Sequence, residues 1–194
     1  MVHGFEADAK LFASLAEIDA AAAARVKAGG CPHCGGKLDR ADYPRKPGGD
    51  LGEARDAYAK RASFCCREEG CRRRATPPSL RFLGRKVYVS VLVVVASVVG
   101  RSIHLVGRGR RREVEGVPVR TVRRWLDWWS ITFALSVFWK EAKGLLSPAV
   151  DEASLPGSLL ARLGAPSAAT LTRLLRLIAP VTTISVEARI AMPV

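Results

Sequence analysis

No hydrophobic run that reads as a bilayer crossing stands out in this 194-residue chain. The run VYVSVLVVVASVVG, residues 87–100, is 14 residues long between Lys86 and Arg101, and a crossing needs roughly 20. A buried core helix is the expectation for it, although its valines would also suit a strand. A secretory signal is also missing. The start MVHGFEADAKLFASL carries acids early and has no apolar stretch ending in a cleavage site. The chain is therefore expected in the cytoplasm, where thiols stay reduced, and its five cysteines are an odd number for a disulfide framework.

Catalytic signatures are absent too. There is no GxSxG, no HExxH and no glycine loop that cradles phosphate. The three histidines, His3, His33 and His104, form no metal-binding spacing. Acids become scarce in one place. Residues 72–124 carry 14 basic side chains and 2 acidic ones, against 11 and 11 in residues 1–71 and 6 and 5 in residues 125–194. Of the net charge of +13, +12 thus lies in the middle segment. So local a block implies a polyanionic partner, nucleic acid first and an acidic membrane surface second; a solvated arginine face is the plainer alternative.

Four regions follow from composition and period. Residues 1–30 hold a helix over 5–27, with Leu11, Leu15, Ile18 and Ala22 spaced at three and four, ended by Gly29 and Gly30. Residues 31–80 are rich in glycine, proline and charge. Their expected strands are GKLDRADY (36–43) and RASFC (61–65), joined by a long connection over 44–58. TPPS (76–79) closes the region. Residues 81–130 form a basic helical region. There PVRTVRRWLDWW starts a helix at Pro118, with Val122, Trp125, Leu126 and Trp129 on one face and Arg120, Arg123, Arg124 and Asp127 on the other. Residues 131–194 give short helices near 138–145, 154–163 and 168–178, then a tail. The fold class expected is mainly α with a small β module.

That module contains the chemistry. Cys31-Pro-His-Cys34-Gly-Gly can grip one ion from a tight turn, its glycines letting backbone N–H groups approach the sulfurs. SFCCREEGC adds Cys65, Cys66 and Cys71. Two knuckles make a four-thiolate structural zinc site, one Zn2+ per chain, in a segment with too few apolar residues to fold without such a staple. Cys31, Cys34 and Cys71 are three ligands. Strand alternation leaves Cys65 and Cys66 open as the fourth. His33, inside the first knuckle, is expected at the surface.

CPHCGG, SFCCREEGCRRR, TPPSLRFLGRKVY and GVPVRTVRRW, in that order, resemble bacterial proteins associated with transposable elements, which join an N-terminal zinc ribbon to a helix-turn-helix. The same order opens insertion-sequence transposases with an N-terminal zinc ribbon, and the likeness covers about residues 30–130. In zinc ribbons an aromatic two residues before the ligand packs beneath the site; this favours Cys66, with Phe64 as the packing residue. For GRGRRREVEGVPVRTVRRWLDWW the resemblance implies a short helix ending at Gly116 and a recognition helix from Pro118, supported by the helix of the valine run. Arg120, Arg123 and Arg124 would then face DNA, Arg72, Arg73 and Arg74 could reach backbone phosphates, and Arg110, Arg111 and Arg112 are further DNA-binding candidates. The stretch 108–115 departs from the pattern, offering only Val114 to a core.

Such transposases cut DNA with three carboxylates holding metal ions. After residue 125 this chain has only Asp127, Glu141, Asp151, Glu152 and Glu187, in about seventy helical residues. The expectation is a non-enzyme: a DNA-binding accessory or regulator encoded with a mobile element, working with a separate transposase or recombinase. The rivals are a truncated transposase or recombinase subunit and a basic membrane-surface protein.

Overall fold

A computed structural model describes residues 8–48, 51–83, 88–106, 113–114 and 116–183. The chain divides into two compact units. One runs from Asp8 to Val89 and includes the described residues from Ile178 on; the other is Ser90–Leu177.

The first unit begins with α1 (Ala9–Gly29). Asp8 caps it by accepting the Leu11 N–H at 2.8 Å, which satisfies one of the orphan donors of the first turn. Gly30, at φ +74, ends it. Leu11, Phe12, Leu15, Asp19 and Ala22 form its buried face. Phe12 meets Tyr58 edge-on at 5.7 Å, and Tyr58 meets Phe82 at 5.8 Å. Tyr58 ends a 3₁₀ turn, Gly52–Tyr58.

One buried acid ties the end of this unit to its start. Asp19 accepts hydrogen bonds from Ser79 Oγ (2.5 Å), the Leu80 N–H (2.7 Å) and Arg81 Nε (2.9 Å). Arg81 also donates to the Ala57 carbonyl. A buried carboxylate with three donors and a guanidinium partner is satisfied as structure requires.

The strands are short. β1 (Leu38–Arg40), β4 (Phe64–Cys66) and β5 (Arg74–Ala75) make an antiparallel sheet in the order β1-β4-β5, pairing Leu38 with Cys66 and Phe64 with Ala75. β2 (Tyr43–Pro44) and β3 (Lys60–Arg61) form a separate pair.

In the second unit α2 (Ser90–Val106) carries most of the valine run. Val91, Val93, Val94, Val95, Ala96 and Val99 are buried, so packing overrides the weak helix propensity of valine. Among the described residues no helix is long and apolar enough to cross a membrane.

The stretch before Pro118 differs from the expectation. In place of a short helix ending at Gly116, β6 (Glu113–Val114) and β7 (Val117–Pro118) form a hairpin, with Val114 opposite Val117. The physical cause is local: both valines are buried and β-branched, and Gly116 sits at φ +67, which a tight turn between two strands can use. Residues 107–112 lie outside the described residues.

α3 (Val119–Asp127) follows directly and runs on as one wide helical turn over Trp128–Phe133. α2 packs on α3 at Gly100, where a Cβ would come 2.5 Å from Val122 Cγ1. Trp129, Phe133 and Trp139 stack into an aromatic core, with centroids 5.0 and 5.1 Å apart. α4 (Val137–Lys143) is capped by Ser136, which accepts the Trp139 N–H at 3.1 Å. α5 (Gly157–Leu163) and α6 (Ala168–Ile178) complete the helices; α6 buries Leu171, Leu174, Leu175 and Ile178 at helical spacing. The fold is mainly helical with small antiparallel sheets.

Candidate metal centre and basic surfaces

Two tight turns bring four sulfurs together. The first, between α1 and β1, closes with Cys31 N–H on the Gly36 carbonyl and Gly35 N–H on the Cys31 carbonyl, both at 2.8 Å. Gly35 sits at φ +73, and a side chain at Gly36 would collide with Glu68, 2.5 Å away. The second turn joins β4 to β5. There the N–H groups of Cys71 and Arg72 both donate to the Glu68 carbonyl at 3.0 Å.

The sulfurs of Cys31, Cys34, Cys66 and Cys71 all lie within 4.8 Å of one another. Cys31 and Cys71 are 3.7 Å apart, and Cys34 and Cys66 3.5 Å. Metal–sulfur bonds of about 2.3 Å in a tetrahedron place sulfurs roughly 3.8 Å apart, so the four fit a single ion. All five cysteines are free thiols.

Backbone amides aim at the same sulfurs. The N–H groups of His33 and Cys34 donate to Cys31, that of Gly36 to Cys34, and that of Glu68 to Cys66. The His33 N–H chiefly brings the Cys31 thiol down to about 7, against burial. Burial pushes Cys66 up to about 12, with the Glu68 N–H opposing it. Donors fixed on sulfur favour thiolate, and thiolate is the form that binds metal. Beneath the site Phe64 packs with Cys31, Leu38, Cys66 and Ala75.

The sheet register separates the two adjacent cysteines. Phe64 and Cys66 are buried on one face of β4. Cys65 lies outside the cluster, its thiol donating to the Arg72 carbonyl at 3.4 Å. His33 is exposed, with Nδ1 3.1 Å from Arg73 Nη1, and also lies outside the cluster.

The arginines divide by how firmly they are held. Arg72, Arg73 and Arg74 are all exposed, in and after the second turn. Arg74 is pinned: Nη1 donates to the Ala41 carbonyl (3.0 Å) and Ser63 Oγ (3.3 Å), and its guanidinium lies 4.6 Å from the Tyr43 ring centre. On α3, Arg120, Arg123 and Arg124 are exposed, while Thr121, Val122 and Trp125 are buried. Arg110, Arg111 and Arg112 lie outside the described residues.

Two acids have structural partners. Asp151 accepts from the Ala153 N–H (3.0 Å) and from Ser154 Oγ, and these bonds hold its carboxyl below the usual range, Ser154 contributing most. Glu152 pairs with Lys143 Nζ at 2.6 Å. Arg101 donates to the Ala153 carbonyl and to Ser130 Oγ, contacts that no sequence pattern announces.

No family model, curated protein or solved structure matches the chain.

Proposed function

We propose that the chain is a DNA-binding protein in which a structural zinc ribbon accompanies a basic helical module. In this reading it is a non-catalytic accessory or regulator encoded with a mobile element, acting in the cytoplasm beside a separate transposase or recombinase. One observation carries the reading: α3 presents Arg120, Arg123 and Arg124 to solvent from a helix whose opposite side is buried through Val122 and Trp125. Three fixed cations at one helical face match the phosphate and guanine-edge chemistry of a duplex. The charge of residues 72–124 points the same way.

The four-sulfur cluster supports zinc because four thiolates at tetrahedral spacing suit that ion, and its role is structural because a closed site keeps no position for substrate. The mobile-element part rests on the sequence resemblance alone.

The hairpin before α3 changes how the helix would be presented, and the arginine face remains. The test is binding of Arg120→Ala, Arg123→Ala and Arg124→Ala variants to preferred and scrambled duplexes at two salt concentrations. With about five phosphates contacted, log K should fall with log salt at a slope of roughly −4 to −5. A guanine-reading arginine should cost about 1–3 kcal/mol on the preferred site only. Equal losses on both duplexes reduce α3 to a non-specific basic face. Incubation with magnesium or manganese should give no nicking; cleavage lost in Asp151→Asn overturns the non-catalytic part.

A further inference from the structure

The first unit has a cleft of ≈ 640 Å³ that the metal site does not use. α1 lines it with the methyl groups of Ala16, Ala20, Ala23 and Ala24 and with Lys27. Lys60, Arg40 and Phe64 line it from β3, β1 and β4. Two acids also line the cleft. Asp19 is consumed by Arg81, and Asp56 is exposed. The ammonium groups of Lys27 and Lys60 have no hydrogen bond or ion pair among the described residues. Arg40 is most of the way into solvent and touches Asp42 at 2.7 Å.

The occupant should therefore offer both apolar surface and anionic groups. A duplex is anionic but offers no apolar face, because its base faces are stacked inside, and it is far wider than a cleft of small-ligand size. One strand of nucleic acid has both: its bases offer flat apolar faces and its phosphates line one edge. We propose that this cleft takes a short stretch of single-stranded nucleic acid, bases toward the alanine methyls and phosphates on Lys27, Lys60 and Arg40. The inference rests on the nucleic-acid reading above but uses a different unit of the protein, so each can fail without the other. With no exposed aromatic ring in the lining, the grip is mainly electrostatic, tolerant of sequence and steeply salt-dependent.

The experiment is fluorescence anisotropy of the full-length, metal-loaded protein with a labelled oligothymidine of about ten nucleotides and a duplex of equal length. Charge reversal in Lys27→Glu/Lys60→Glu should weaken oligothymidine binding by about tenfold or more at low salt. Ala20→Leu and Ala24→Leu fill the cleft from exposed helix positions and should weaken that binding too, with metal content and melting temperature unchanged. The Arg120, Arg123 and Arg124 alanine variants should lose the duplex and keep the single strand. Three results overturn the proposal: oligothymidine binding that ignores the lysine reversals, binding that ignores the leucines, or competition by polyglutamate as strong as by unlabelled oligothymidine. The last would assign the cleft to an acidic protein segment.

Discussion

The sheet with the four-cysteine cluster and the helical unit differ in what their cores are made of. Around the sheet only Cys31, Leu38, Phe64, Cys66 and Ala75 are buried together, and two of those five are cluster cysteines. The helical unit buries Trp125, Trp129, Phe133, Trp139 and a run of valines and leucines. These five, with Leu51 and Tyr58 buried in the same stretch, are a thin core for some forty loop-rich residues, whereas the helical unit has a large aromatic and aliphatic one. If the cluster holds an ion, ion binding and hydrophobic burial should be separable sources of order in one chain, each removable without touching the other's chemistry.

The largest effect should come from the metal. Chelation, or Cys66→Ser, should unfold the sheet region, because metal binding there is folding free energy, on the order of 10 kcal/mol in small zinc modules. Hydrogen exchange should show protection lost over residues 31–75 and kept in α2, α3 and α6. Cys65→Ser should retain one metal per chain. If the two serine variants behave alike, or if the metal-free protein keeps its sheet protection, the contrast between the units collapses.

Next comes the core of the helical unit. Trp129→Ala removes a fully buried ring that meets Phe133 edge-on and should cost about 3–5 kcal/mol in that unit. Metal content should not change. A loss of metal in this variant would show that the units do not hold independently.

A smaller effect tests the α2–α3 contact. A methyl at residue 100 would press on Val122 Cγ1, a β-branched side chain that is itself buried and has few rotamers to give way. Gly100→Ala should destabilise by about 1–3 kcal/mol despite improving helix propensity. The thermal melt of the helical unit measures it; a rise in melting temperature would show that α2 and α3 are less closely packed than Gly100 requires.

Legibility differs between the regions for a physical reason. Cysteine spacing is chemistry written in sequence, so Cys31, Cys34 and Cys71 could be named before any coordinates; spacing left Cys65 and Cys66 open, and Cys66 with Phe64 beneath it came only from the resemblance to zinc ribbons. The α3 face was legible because a period of 3.6 separates Val122, Trp125 and Trp129 from the arginines. The hairpin at Val114 and Val117 was not. Two-residue strands carry no period, and Gly116 serves a helix-turn-helix and a hairpin equally well. Nor could the Asp19 hub or the Lys27–Lys60 cleft be foreseen. Each is assembled from segments forty or more positions apart in some of its contacts, and exposure and partnering are properties of the fold alone.

The smallest effect distinguishes local capping from the metal. Asp8 holds the Leu11 N–H at the start of α1, the helix that delivers the chain to Cys31 through Gly30. Asp8→Ala removes the acceptor and should cost about 1 kcal/mol, with Asp8→Asn recovering most of it, since the amide oxygen can accept the same bond. The loss should appear as fraying of the first turn of α1 in hydrogen exchange. The opposite end of α1, next to the first knuckle, should stay protected as long as metal is present. The same variant after chelation should fray along the whole helix, because the sulfur cluster then no longer anchors its last turn. If the cap variant frays both ends with metal bound, the anchor lies in the Asp19 contacts rather than at the cysteines, and the division of labour between ion and core must be redrawn for this unit.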